Sequence, residues 1–189
     1  MSTATQVARY IIERAAVETQ FGPMTNLRLQ KLLYYSQMES LVRLGRPIFD
    51  EPIMAWIHGP VVEPVYDQMA PYEDQPIDPQ KEEKSQGIQP DERAVIDAAW
   101  NKYKQFSALE LVDKTHREIP WLRARGDLGP QEKCRNAITH QDIREFGLRP
   151  PKRNLRNLPA ETPIPKATTD KLAAYSKIVP PCNPADDDF

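Results

Sequence analysis

The chain has 189 residues, of which 40% are hydrophobic and 28% charged, so it is long enough for one packed domain with an extension. Its formal net charge of −2 gives no whole-protein field that would attract nucleic acid or an anionic membrane, and we expect neither as a partner. Because it has no apolar run of roughly 20 residues and only two cysteines, in unlike surroundings, we expect a cytoplasmic protein with reduced thiols.

Prolines divide the chain into regions, since proline removes a backbone donor and interrupts helices. There are 19 prolines against 7 glycines, and they cluster between residues 71 and 90 and again after residue 149. The predicted organisation is a helical domain at residues 1–147, with an exposed or disordered acidic loop at 71–87. A Pro-rich tail follows at residues 148–189, with a short helix at 168–179.

Two helices are predicted in the first 45 residues. Residues 3–17 place apolar side chains at helical spacing. The second helix starts at a cap, Thr25 or Asn26, and runs to Leu44, where Gly45 ends it.

The second helix carries a polar face and two neighbouring tyrosines beside its leucine stripe. We expect the polar face, with Arg28, Gln30 and Lys31, to be solvated. Because successive helical residues sit about 100° apart, one of Tyr34 and Tyr35 should point away from the stripe and could anchor a partner. The alternative is that both tuck under neighbouring helices, and the sequence does not decide between them.

The next segment is predicted to be a short strand followed by a helix. Pro47 and Pro52 exclude a helix, and the alternation over residues 53–57 suits an edge strand. Gly59 and Pro60 are then expected to begin a helix, with the proline at its favoured first position. The buried face of that helix would comprise Val61, Val62, Val65, Tyr66 and Met69.

The pattern after the acidic loop is helical again. Residues 88–106 form one predicted helix, and Ser107 with Glu110 makes a capping box for the next. Three residues of that helix are expected to face inward, namely Leu109, Leu111 and Val112.

Shorter elements follow this helix. Pro120 and Trp121 are expected to break the helical pattern. Beyond them we predict an extended pair at residues 138–139 and a last helix at 142–146, which Gly147 ends.

Three blocks of sequence, in order, resemble the Panacea domain family, which includes SocA-like antitoxins and phage-associated proteins. The blocks are residues 29–37, residues 47–66, and a discontinuous third block between residues 109 and 139, and the resemblance covers about residues 7–147. We interpret the following residues as fold-determining: Leu29, Gln30, Lys31, Leu32, Leu33, Trp56, Gly59, Pro60, Val61, Tyr66, Pro120 and Trp121.

The resemblance implies a mainly α, compact helical domain with a small β element, which agrees with the reading of the residues. It also implies an antitoxin or adaptor that neutralises a toxin by direct contact, the toxin being encoded by an adjacent gene. A protease that uses the chain as an adaptor is a further partner to consider. The alternative is a phage or prophage accessory protein that reuses the domain as an interaction scaffold.

Enzymatic signals are weak, so we expect no enzyme, no cofactor and no metal site. Cys134 and His140 could meet as nucleophile and base, but no catalytic motif surrounds them. Besides Tyr34 and Tyr35, partner binding is predicted for a stripe in the tail. Short amphipathic helices of this kind often fold into a partner's groove, and here the stripe comprises Leu172, Tyr175 and Ile178.

Overall fold

The computed structural model of the protein describes residues 1–129 and 131–149. That part is mainly helical with one two-stranded antiparallel sheet, as the sequence predicts. Its elements are α1 (Ala4–Val17), α2 (Asn26–Arg43), β1 (Met54–Trp56), β2 (Gly59–Val61), α3 (Glu63–Met69), α4 (Pro90–Tyr103), α5 (Ala108–His116), α6 (Ile119–Arg125) and α7 (His140–Gly147). No helix among these is long and apolar enough to cross a membrane. The tail helix predicted at 168–179 lies outside the described residues.

Side-chain caps fix the starts of the first two helices, and the cap of the second was predicted from the sequence. The Thr3 hydroxyl accepts from the backbone N–H of Gln6 at 3.2 Å, and the Gln6 side chain accepts from the Thr3 N–H in return. Thr25, rather than Asn26, caps α2 by accepting from the N–H of Arg28. Each cap satisfies a backbone donor that the first turn leaves without a partner.

Helix α2 is the central element of the domain. Every residue from Arg28 to Leu41 is buried, because α1, α4, α5 and α7 pack around it. The prediction of a solvated polar face is therefore wrong, since Arg28, Gln30 and Lys31 are at most 2% exposed. Buried polar groups must be hydrogen-bonded, and these side chains are bonded to the backbone of neighbouring segments.

The predicted strand is confirmed, but the helix predicted to start at Gly59 is wrong. Gly59–Val61 is β2, which pairs antiparallel with β1 so that Trp56 faces Gly59 and Ala55 faces Pro60. The φ of Gly59 is +98°, which is not helical. Proline is tolerated in an edge strand as well as at a helix start, and pairing with β1 decides between them. Helix α3 begins later, at Glu63.

The acidic loop has little regular structure but is attached to α1 and to the turn before α2. After a single 3₁₀ turn, the Ile77 N–H donates to the Met24 carbonyl at 2.8 Å, and Ile77 is only 4% exposed. Further along, the Ser85 N–H and hydroxyl both donate to the Glu13 carboxylate, at 2.8 and 2.7 Å. Most residues of the loop are exposed, and these contacts hold it against the rest of the domain.

The second half of the domain confirms two helix predictions and corrects two details. Helix α4 starts at Pro90, and the Ser107–Glu110 capping box starts α5. Leu109, predicted to face inward, is 67% exposed. Pro120 does not end helical structure but lies in the first turn of α6, where its missing N–H has no intrahelical partner to lose.

Glu73 adopts a backbone conformation that favours glycine, with φ 51° and ψ −123°. We expect Glu73→Gly to stabilise the protein by about 1 kcal/mol, because glycine carries no Cβ strain there. Asp74→Gly is the matched control and should destabilise slightly, since it adds chain entropy without relieving strain. Urea unfolding of the two variants measures this; equal effects would show that Glu73 is not strained.

Candidate functional site: the buried hub around α2

Polar side chains of α2 bind the backbone of the hairpin segment. The Gln30 carbonyl oxygen accepts from the Val62 N–H at 2.9 Å, and the Lys31 ammonium donates to the Pro60 carbonyl at 3.1 Å. All these groups are buried, so each of these bonds takes the place of a hydrogen bond that the group would make to water in the unfolded chain. These two bonds hold the hairpin segment against α2 through buried contacts.

Gln37 makes a second attachment, one helical turn beyond the tyrosines. Its carbonyl oxygen accepts from the Ile48 N–H at 2.9 Å, and its Nε2 donates to the Phe49 carbonyl at 3.0 Å. The same Nε2 lies 2.8 Å from His140 Nε2. Since the amide nitrogen can only donate, His140 accepts at Nε2 and carries its proton at Nδ1. Helix α7 is thus tied to α2.

Tyr34 and Tyr35 are both buried, with 0% exposure, so the second alternative holds and both tuck under neighbouring helices. Their hydroxyls donate to the two oxygens of Glu118, each at 2.9 Å. The Tyr35 ring also stacks on Tyr103 at 3.7 Å. Neither tyrosine presents a surface to a partner unless these helices separate.

Glu118 lies between the two tyrosines at the start of α6 and is 6% exposed. Burial raises the pKa of its carboxyl above the ordinary value, and the two tyrosine hydrogen bonds oppose that shift. Burial likewise raises the pKa of Tyr34 well above its usual value, with the nearby Glu118 charge as the next cause. The cluster holds three helices together, since its members come from α2, α4 and the cap of α6.

Aromatic contacts join α6 to the hairpin. The Trp121 indole N–H donates to the Trp56 carbonyl at 3.0 Å, and the Trp121 ring stacks on His116 with centroids 4.1 Å apart. Arg125 lies over the same ring at 5.0 Å and donates to the Ala55 carbonyl at 3.2 Å. The residues of the third sequence block therefore meet those of the second.

His116 is expected to resist protonation. Its pKa is lowered to about 4, first by burial and then by the charges of Lys31 and His58. Because the unfolded chain takes up this proton near pH 6.5, the stability contribution of His116 is complete above that pH and is lost as the pH falls towards 4. Histidine NMR titration should find the low pKa, and a value near 6.5 would contradict it.

The replacement His116→Phe keeps a ring against Trp121 but removes the titrating group. We expect its unfolding free energy to fall less than that of the natural protein between pH 7 and 5. The measurement is urea unfolding at both pH values. An equal fall in the two proteins would show that His116 does not contribute to the acid sensitivity.

The structure gives Cys134 and His140 different neighbours. The Cys134 sulfur is buried and lies 3.9 Å from the Ala124 carbonyl, while His140 contacts Gln37. Within residues 1–129 and 131–149, no three metal-ligating side chains are grouped to hold an ion. This arrangement offers no support for a nucleophile–base pair.

Sequence reasoning missed the internal role of the polar face of α2. A signal was present, since the face carries one amide and two cations, side chains that can donate to backbone carbonyls. The stripe in the tail, comprising Leu172, Tyr175 and Ile178, lies outside the described residues.

A family model for the antitoxin SocA-like Panacea domain matches residues 29–122, from the first turn of α2 into α6. Residues 29–122 of this chain are a SocA-like Panacea domain. The curated protein named Antitoxin SocA, from Caulobacter vibrioides (strain NA1000 / CB15N), is 41% identical over 63 residues. That alignment covers 33% of this chain and 32% of the relative, so the chain matches about a third of the relative's length. No solved structure matches the chain.

The Panacea match contains the attachments made by Gln30, Lys31 and Gln37, as well as the Glu118 cluster. Helix α1, helix α7 and the capping turn of α7 lie outside it. Most of the side chains that make the domain recognisable are therefore committed to internal contacts.

Proposed function

We propose that this protein is an antitoxin that neutralises a specific partner toxin by direct contact. The observation that carries the proposal is the match of residues 29–122 to the antitoxin SocA-like domain. The 41% identity to Antitoxin SocA over 63 residues supports the same role. No cofactor or catalytic group is required for neutralisation by binding.

The internal contacts of the motif residues support binding rather than catalysis. The hydroxyls of Tyr34 and Tyr35 donate to the carboxylate of Glu118. Gln30 and Gln37 are bonded to backbone groups. A rigid core of this kind suits a scaffold that presents its outer surface with little loss of conformational freedom. The tail stripe at Leu172, Tyr175 and Ile178 remains a proposed contact of that surface.

Co-expression with the products of adjacent genes tests the proposal. One product should arrest growth when expressed alone and should be harmless when this chain is co-expressed. The same pair should co-purify in fixed stoichiometry with the full-length protein. If no neighbouring product is toxic, or if toxicity persists beside soluble chain, the antitoxin role fails.

A version ending after Gly147 shows whether the tail contributes. Loss of co-purification with soluble truncated protein would place contacts in residues 148–189. Retained neutralisation would place them in residues 1–147. In both cases circular dichroism should first establish that the truncated protein is helical.

A further inference from the structure

Two aromatic side chains of the second sequence block lie partly at the surface. Trp56 is on β1 and Tyr66 is on α3, and both are partly exposed, whereas Trp100 and Trp121 are only 1% and 7% exposed. The rings of Trp56 and Tyr66 pack edge to face, with centroids 4.9 Å apart and planes at 68°. Tryptophan and tyrosine are enriched among the residues that dominate binding energies at interfaces. An exposed pair of them therefore indicates a binding surface.

Two carboxylates lie beside this aromatic pair. The Trp56 indole N–H donates to Glu63 Oε1 at 3.3 Å. Tyr66 and Asp67 follow Glu63 on α3 by three and four residues, so the three side chains share one face of that helix. We call the resulting surface the Trp56 face, and it comprises Trp56, Glu63, Tyr66 and Asp67.

The charge of the Trp56 face is negative. Within residues 1–129 and 131–149, neither Glu63 nor Asp67 forms an ion pair. Residues 47–80, which include β1, β2 and α3, carry seven carboxylates and no lysine or arginine. An aromatic ring attracts a cation over its face, and hydrogen bonds from the cation to a carboxylate strengthen the contact. The Trp56 face thus favours a cationic occupant.

One cation of the chain itself comes near this surface. Met54 of β1 pairs with Ala137, and the register of that pairing brings Arg135 to the level of Trp56. Arg135 is exposed, and among the described residues its guanidinium neither pairs with a carboxylate nor lies over a ring. An acidic occupant would contact Arg135, whereas a cationic occupant would be repelled by it, so a substitution there separates the two.

The Trp56 side chain is held in place before any partner arrives. Its carbonyl accepts from the Trp121 indole N–H at 3.0 Å, and its own indole N–H is bonded to Glu63. A side chain fixed at both its backbone and its ring loses little conformational entropy on binding. All four residues of the Trp56 face lie within residues 29–122, the match on which the proposed function rests.

We propose that the Trp56 face binds an arginine side chain of the partner toxin. The planar guanidinium stacks on the exposed aromatic surface and donates to the carboxylates of Glu63 and Asp67. Arginine suits this face better than lysine, because an ammonium group is strongly hydrated and has no plane to stack. Nucleic acid phosphates and acidic peptides are disfavoured, since like charges repel. The identity of the occupant as a toxin rests on the function proposed above.

A defined peptide tests the Trp56 face independently of the toxin. The probe is the capped peptide Gly-Ser-Arg-Ser-Gly, titrated into the ¹⁵N-labelled full-length protein. The chain has three tryptophans and hence three indole N–H signals, and Trp56→Phe identifies the signal of Trp56. We expect that signal to shift with added peptide, while the signals of the buried Trp100 and Trp121 stay in place.

Comparison peptides identify the chemistry of the occupant. Citrulline in place of arginine keeps the planar group but removes its charge, and should bind at least about fivefold more weakly, which corresponds to about 1 kcal/mol. Lysine keeps the charge but not the plane, and should bind with an intermediate affinity. Equal binding of the citrulline peptide would overturn the cationic occupant, and equal binding of the lysine peptide would overturn its assignment as arginine.

Matched variants test the carboxylates. Asp67→Asn should weaken the arginine peptide about threefold, as expected for an exposed ion pair. Asp74→Asn makes the same change at an exposed aspartate of the acidic loop and should leave binding unchanged. Arg135→Gln should leave binding unchanged or tighten it, and weaker binding would show that the face does not select a cation. Circular dichroism establishes that each variant is folded.

Co-purification with the toxin is the second readout. Trp56→Ala and Asp67→Arg should each abolish co-purification of a toxin identified by co-expression, while Asp74→Arg retains it, all three chains being soluble and helical. Retention of the toxin by Asp67→Arg overturns the proposal, as does an unmoved Trp56 indole signal at about 10 mM arginine peptide. If the peptide binds but no adjacent product is toxic, the antitoxin function fails while the Trp56 face stands as an arginine site.

Discussion

Replacing Gly59 by alanine is expected to destabilise the protein by about 4 kcal/mol. The φ of Gly59 is +98°, where a side chain is strained. An added Cβ would also lie 2.8 Å from Lys31 Cε and 2.8 Å from Thr115 Oγ1. Both atoms belong to buried side chains, so relieving the contact would disturb the packing between the hairpin, α2 and α5 and the bond from Lys31 to the Pro60 carbonyl.

Gly45→Ala is the matched control for this prediction. Gly45 also has a positive φ, +70°, but nothing lies within 4 Å of an added Cβ. Its replacement should therefore cost only the backbone strain, about 1 kcal/mol. Urea unfolding followed by circular dichroism measures both variants. Equal losses would show that backbone strain alone, and not packing against Lys31 and Thr115, requires the glycine.

Gly59 also shows why part of the fold could be predicted and part could not. Helix starts were predictable where a local side chain supplies the cap, as Thr25 and Ser107 do. The sequence of a Gly-Pro pair does not determine whether a helix or a strand begins there, since proline suits both a first helical turn and an edge strand. Pairing of Gly59 with Trp56 decides the outcome, and that contact depends on the whole hairpin.

Only part of the candidate site was named from the sequence, since Glu118, which accepts from both tyrosines, was not among the motif residues, and the geometry of the site was not predicted. The motif residues were identified together, yet periodicity cannot tell how many neighbours surround a helix. Arg28 illustrates the problem: it donates to the carbonyls of Gly22, Pro23 and Lys104, the last of which is the C-cap of α4. Arg28 was expected to be solvated, but the packing of α4 on α2 buries its side chain and brings the Lys104 carbonyl within hydrogen-bonding distance.

Replacing Glu118 by alanine is expected to destabilise the protein by about 3 kcal/mol at neutral pH. The change leaves the hydroxyls of Tyr34 and Tyr35 without an acceptor in a region where both side chains are fully buried. Each buried polar group left unsatisfied costs about 1–3 kcal/mol. Removing the buried charge offsets part of that loss, because ionised Glu118 is itself desolvated.

A double-mutant cycle isolates the tyrosine contacts from other effects of the truncation. In the background Tyr34→Phe with Tyr35→Phe, the hydroxyls are gone, so Glu118→Ala should cost markedly less than in the natural protein. The coupling free energy from urea unfolding should be about 1–3 kcal/mol. A coupling near zero would mean that the hydroxyls do not depend on Glu118 for hydrogen bonding.

The carboxyl of Glu118 also makes the free energy of unfolding depend on pH, in a direction that its raised pKa fixes. Burial raises the pKa of Glu118 in the folded protein, so the folded state holds this proton more tightly than the unfolded state. The contribution of Glu118 is therefore complete below the ordinary carboxyl pKa and is lost as the pH rises through the raised value. Glu118→Gln keeps the shape and a hydrogen-bonding amide but does not titrate. The advantage of the natural protein over this variant should thus shrink from pH 4 to pH 8, and a growing advantage would mean that the folded-state pKa of Glu118 is lowered instead.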